Sequence, residues 1–203
     1  GIATQQLSAK LRSYLLPHTY TDVDMRNCHP TILHWVFTVL GYKTTHLEDY
    51  VIDRDTVLQR TGLKKDHVLA LLNQDKHHKT DNDWVTDFCV EMHRNKVKLA
   101  AIIAHQYNTT NKTHPLSSKV TKFVCDIENR LLHVAMKELG VDDGILMFDG
   151  FMTTHPITPD QLNQVNVATG LVDVEWVVKE WSKPTTIPHV APPDASRTYA
   201  IQK

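Results

Sequence analysis

Tyr20-Thr-Asp22-Val-Asp24-Met-Arg-Asn27-Cys-His29-Pro30-Thr-Ile-Leu33 is the stretch on which the reading of the whole chain turns. Through 22–25, Val23 and Met25 alternate with Asp22 and Asp24. That is the period of a half-buried strand, so Asp22 and Asp24 share one face. Pro30 suits the first turn of a helix, and 31–40 runs on apolar until Gly41, a residue that ends helices. The segment therefore predicts strand, tight turn and helix, with acids on the strand. An acid ending a buried strand can present its carboxylate, with the next backbone carbonyl, to one cation. Asp24 is equally suited to capping the Pro30 helix.

Outward from this segment, the pattern predicts a short helix over 7–16, stopped by Pro17, and helices over 47–59 and 63–73. Residues 74–82 are polar and predict a loop. Val85, Phe88, Met92, Leu99 and Ile103 recur at helical spacing within a long helix over 84–105. A loop over 107–117 leads to a second long helix, 118–139, closed by Gly140. In Gly144-Ile-Leu-Met-Phe-Asp149-Gly150-Phe-Met-Thr-Thr154, two apolar segments flank Asp-Gly, the signal of a hairpin with that pair at its turn. A helix begins at Pro159, 171–178 is rich in strand formers, and the tail at 185–203 predicts irregular structure. The fold class expected is α+β, a single domain over 1–203.

Composition sets the outer limits. The chain has 203 residues with 41% hydrophobic and 22% charged side chains, enough for a real core. No apolar run is long enough to cross a bilayer, since His34 interrupts the longest, near 32–40. Gly1 is not a natural start, which points to an excised domain or a tag scar. Three cysteines, Cys28, Cys89 and Cys125, form no CxxC pair. They are expected to be reduced, in a cytoplasmic or nuclear compartment, and to leave zinc unligated. Cys89 and His93 have zinc-ligand spacing, but no second pair is spaced to complete such a site. The formal net charge of −1 argues against a large nucleic-acid footprint, although basic residues cluster at Lys64 and Lys65, at Lys76 and Lys79, and through Arg94, Lys96 and Lys98.

Two acids at strand ends carry more than either alone. Two-metal phosphoryl transfer needs carboxylates from separate strands converging on cations about 3.5–4 Å apart, so Asp24 and Asp149 are expected within about 7 Å of each other, holding Mg²⁺ or Mn²⁺. Between them lie Arg54, Arg60, Lys64 and Lys65. Arg60 and Lys64 share a face if one helix includes both, and such a basic surface can neutralise a triphosphate and its leaving pyrophosphate. Without a ligand it is a solvated helix surface.

Asp24-Met-Arg-Asn-Cys-His-Pro-Thr-Ile-Leu, Tyr50-Val-Ile-Asp-Arg54, Lys65 with Leu72-Asn73, Ile127-Glu128-Asn129 with Leu132, and Phe148-Asp149-Gly150 occur in this order. Over about 20–152 the chain resembles the transposon–viral polymerase family, relatives of family A DNA polymerases and single-subunit phage-type RNA polymerases. The resemblance implies a palm-like antiparallel sheet backed by long helices, with a helical fingers-like insertion at about 42–117. It implies Asp24, the Met25 carbonyl and Asp149 as metal ligands, with Asp24 and Asp149 catalytic. Lys65, or Lys64 with a one-residue shift, matches the fingers lysine on the triphosphate, and His29 falls near the incoming sugar. Glu128 and Asn129 match a recurrent pair before the last strand. The implied partners are nucleic-acid template and primer, nucleoside triphosphates, and a primase or helicase at a viral or mobile-element replication site. Gly150 stands where a family A enzyme has a second acid, and no thumb is evident. Two other functions use the same acids: a two-metal phosphodiester hydrolase, and a non-catalytic palm-like nucleic-acid-binding or scaffolding module of a larger replication protein.

Overall fold

The computed structural model describes residues 11–12, 15–16, 19–76, 79–110, 113–170 and 172–181. Most of the helix expected at 7–16 and all of the tail at 185–203 lie outside these residues. The described chain is a mixed α+β fold, a small antiparallel sheet backed by long helices. Strand β1 (Thr21–Arg26) leads into helix α1 (Cys28–Val39). Helices α2 (Thr45–Ile52), α3 (Arg54–Thr61), α4 (Lys65–Leu72), α5 (Asp83–Ile102) and α6 (Pro115–Glu138) follow. Strands β2 (Ile145–Met147) and β3 (Gly150–Thr153), helix α7 (Pro159–Ala168) and strand β4 (Glu175–Lys179) complete it.

The sheet order is β2-β3-β1-β4 and every pairing is antiparallel. The two-residue period does what the sequence implied. Val23 and Met25 turn inward with Phe151 and Trp176, all nearly inaccessible, while Asp22 and Asp24 take the opposite face. Trp176 donates its indole N–H to Thr169 Oγ1 (2.9 Å), so its polar edge is satisfied inside the core. Trp84 stacks on Phe88 and donates to Asp49, and Trp181 donates to the Tyr20 carbonyl.

Three boundaries differ from the sequence expectation. The single helix over 47–59 is two helices. Asp53 takes a non-helical backbone (φ −139°, ψ 73°) and its carboxylate accepts the Thr56 N–H (3.1 Å), so it caps α3 and breaks the run. Gly62, at φ 68°, then ends α3, so Arg60 and Lys64 share no helix face. The hairpin turn falls on Phe148 and Asp149 rather than on Asp149-Gly150. Met147 pairs with Gly150, which already belongs to β3, and Phe148 takes the left-handed conformation (φ 48°). Helix α6 also starts earlier than expected, at Pro115, where the missing N–H of a first-turn proline costs nothing.

The helical part between β1–α1 and α6 is held by charged side chains at helix ends. Glu91 on α5 is buried and accepts the N–H groups of His46 and Leu47 (3.2 and 3.0 Å), at the start of α2. Asp75 accepts the Leu116 and Ser117 N–H groups (3.0 and 2.7 Å) in the first turn of α6. Lys96, 1% exposed, donates to the Leu72 carbonyl (2.8 Å) at the end of α4, to the Gln74 carbonyl and to Ser117 Oγ (3.1 Å). Each charge meets the helix terminus of opposite partial charge.

Burial lowers the Lys96 pKa to about 8, against the pull of Asp75 and Cys89. Unfolded, the same ammonium titrates near 10.5. Between these values the unfolded chain holds more protons, so stability rises with pH across the window. We expect wild type to gain on the order of 3 kcal/mol relative to Lys96→Met between pH 8 and 10.5. Denaturant unfolding of both proteins across that range checks it, and parallel curves would contradict a buried ammonium.

Candidate functional site

β1 and β3 place Asp24 opposite Gly150, the residue after Asp149. The Met25 N–H donates to the Asp149 carbonyl (2.9 Å), which ties the hairpin turn to the end of β1. Asp149 lies near enough for its charge to act on the Asp24 carboxylate. Two carboxylates this close repel when both are ionised. The Asp24 pKa is accordingly raised, first by burial and then by the Asp149 charge, with Lys179 opposing both. Asp22, on the same face, is also raised by burial and by Asp24.

Gly150 fits only because it has no side chain. A Cβ there would lie 2.3 Å from the Val23 carbonyl oxygen and 3.0 Å from Asp24 Oδ1. β1 and β3 approach too closely at this pair for any other residue. Lys179, at the end of β4, is opposite Asp22 in register, and its Nζ lies 3.2 Å from Asp24 Oδ2. The surrounding carboxylates raise the Lys179 pKa despite the opposing effect of burial. Lys179 is thus the positive charge that compensates Asp24.

Asp149 borders a cleft of about 310 Å³ lined also by His29, Lys65, Asn73, Cys125, Glu128 and Phe148. Of the two lysines, Lys65 reaches it and Lys64 is not among its lining residues. His29 enters from the first turn of α1, with Nε2 3.0 Å from Glu128 Oε2. Cys28 lies close by, its Sγ 3.8 Å from Met25 Sδ. Its thiol pKa is driven upward by burial and then by Glu128, Asp149 and Asp24, so it stays neutral.

The two arginines diverge. Arg54 Nη1 donates to Asn27 Oδ1 (2.9 Å) and borders a separate depression with Arg26, Asp53 and Glu175. Asn27 lies in both linings, so Arg54 flanks the cleft without entering it. Arg60 is paired with Asp49 in another depression beside Trp84 and His46. The cleft thus brings together Asp149, His29 and Lys65, and Asp24 and Met25 adjoin it through Asp149.

Sequence reasoning missed Lys179 and Cys125. Lys179 is separated from Asp24 by 155 residues, and only the β1–β4 register joins them. Cys125 and Glu128 are three apart on α6 and so share a face, a legible signal, but their partner His29 comes from α1. The His29, Cys125 and Glu128 ligand atoms all lie within 4.8 Å of one another, a cluster able to coordinate a metal ion.

Neither protein-family models, nor curated proteins, nor solved structures gave a match to the chain. Among the described residues, no helix is long and apolar enough to cross a membrane.

Proposed function

We propose that the chain is a palm-like nucleotidyltransferase domain, a template-directed polymerase using Mg²⁺ or Mn²⁺ in the replication of a virus or mobile element. One observation carries this reading: Asp24 on β1 lies beside Asp149 in the β2–β3 turn, and Asp149 borders a cleft that Lys65 and His29 also line. The donor set fits the ion. Both acids offer hard oxygen ligands, and their mutual repulsion favours a divalent cation over bare carboxylates. A cation bound there supplies positive charge to the reacting phosphate and to the hydroxyl that attacks it. Asp24 and Asp149 hold that charge in place, and the Met25 carbonyl lies one residue beyond the last β1–β3 pair. Lys65 neutralises the outer phosphates of a nucleoside triphosphate and of the leaving pyrophosphate. His29, held by Glu128, packs beside the sugar. Helices α2–α5 form the fingers-like part, and the nucleic-acid template, primer and a primase or helicase are the partners.

Primer extension by the full chain tests this reading. Metal-dependent extension is expected, with Lys65→Ala raising KM for the triphosphate by about tenfold or more, the loss of one charge-assisted contact. Primer degradation without extension would assign a two-metal phosphodiester hydrolase instead.

The Lys179–Asp24 ion pair favours a second reading, a non-catalytic scaffolding module in which Asp24 already has its counter-charge. It predicts neither extension nor cleavage, and duplex binding that is indifferent to Mg²⁺.

A further inference from the structure

We propose that His29, Cys125 and Glu128 form a site for a borderline divalent transition ion, zinc above all, with one coordination position open to the cleft. Zinc chemistry asks for a small set of nitrogen, sulfur and oxygen donors. Here an imidazole nitrogen, a thiol sulfur and a carboxylate oxygen stand within 4.8 Å of one another. Bonds of the usual lengths in a tetrahedron put ligand atoms about 3.3–3.8 Å apart. The cluster needs modest contraction toward the sulfur, and the 3.0 Å His29–Glu128 separation needs to open slightly.

Three features make this a built site. Cys125 and Glu128 are locked on one face of the 24-residue helix α6, and His29 is fixed in the first turn of α1. Helices α1 and α6 pack directly on each other, so the three donors hold their spacing through the core. Glu128 is buried at 7% exposure, whereas His29 and Cys125 are half-buried and line the cleft, which leaves an entry path. On binding, the Cys125 thiol proton goes to solvent and the sulfur–metal bond forms. Thiolate, carboxylate and neutral imidazole then sum to −2, so a dication gives a neutral complex in a half-buried place.

The softness of sulfur separates this site from the Asp24–Asp149 pair, whose oxygens suit Mg²⁺. The expectation that no cysteine ligates zinc rested on spacing along the chain. Folding supplies the third donor from a helix that the spacing does not include. The Cys89 and His93 pair, by contrast, is engaged elsewhere: Gln74 Nε2 donates to Cys89 Sγ (3.2 Å), and His93 Nδ1 lies 2.6 Å from the Asp75 carbonyl.

The test is cobalt and zinc titration of the full chain in excess Mg²⁺. Co²⁺ is expected to bind one equivalent and develop a thiolate-to-metal charge-transfer band, which Zn²⁺ bleaches and Mg²⁺ does not. Cys125→Ser should abolish the band and weaken Zn²⁺ binding by about 100-fold, and Glu128→Gln by about tenfold or more. Asp24→Asn and Asp149→Asn should leave both intact, so the site stands or falls separately from the polymerase reading. Should the variants fold poorly, wild type still decides, because Zn²⁺ must protect Cys125 from alkylation, located by peptide mass. A band that survives in Cys125→Ser, zinc bound without protecting Cys125, or no tight binding at all would overturn the assignment.

Discussion

Mg²⁺ or Mn²⁺ at a hundred times its dissociation constant is expected to raise the melting temperature of the wild-type protein by about 5–10 °C. A ligand at that level stabilises by about 2.7 kcal/mol, and each kcal/mol moves a domain of this size by about 2–4 °C. Asp24→Asn and Asp149→Asn should each lose most of the gain. Without metal, both variants should melt at or above wild type, because each removes a charge that repels its neighbour. The Lys179 partner left behind by Asp24→Asn is 59% exposed in its side chain, so solvent takes up most of that loss.

The pH dependence follows from the same pair. The folded Asp24 pKa lies above its unfolded value of 3.8. In the window between the two, the folded state holds more protons, so metal-free stability falls as pH rises through it. The metal-induced shift should therefore be larger at neutral pH than near pH 4, and Cys125→Ser should not change it. Thermal melts of wild type and the two asparagine variants decide the matter. Equal metal responses in all three would make both aspartates structural and remove the chemical basis of the polymerase reading.

Gly150→Ala is expected to cost about 3 kcal/mol or more, lowering the melting temperature by roughly 6–12 °C. The added carbon would lie 2.3 Å from the Val23 carbonyl and 3.1 Å from the Asp24 Cα, backbone atoms of the central strand. Only separation of β1 from β3 relieves that contact, and separation also pulls Asp24 away from Asp149. Gly150→Asp, which adds a carboxylate next to Asp149, should do worse and give no tighter Mg²⁺ binding. Gly62→Ala is the control. Its φ of 68° imposes strain of about 1–2 kcal/mol, but a Cβ there meets open space. If Gly150→Ala proves no more damaging than the control, the strands are not as close as described.

What could be read in advance was local. β1 announced itself by strict alternation, and α5 and α6 by long apolar spacing bounded by Asn82 and Gly140. The break at Asp53 was legible too, since an aspartate three residues before Thr56 is a cap signal, but the continuing apolar pattern obscured it. The hairpin turn was misplaced for a different reason. Asp-Gly has the propensity of a tight turn, yet Gly150 is there to clear β1, a demand set by a strand far away in sequence. Lys179 beside Asp24, Lys96 at the end of α4 and His29 beside Cys125 all depend on register or helix packing. Asp24 and Asp149 could be named as candidates from local sequence, whereas the groups that tune the charge of Asp24 could not.

The sheet order also dictates when the site can exist during synthesis. β1 is made early but sits between β3 and β4, so both of its hydrogen-bonding edges wait for segments translated long afterwards. Such non-local pairing is slow, and an unpaired strand is an opportunity for association between nascent chains. In β1 the charges of Asp22, Asp24 and Arg26 alternate with its buried residues and oppose that association. The same carboxylates that crowd together in the finished fold therefore guard the ribosome-bound chain, where Lys179 has yet to be added.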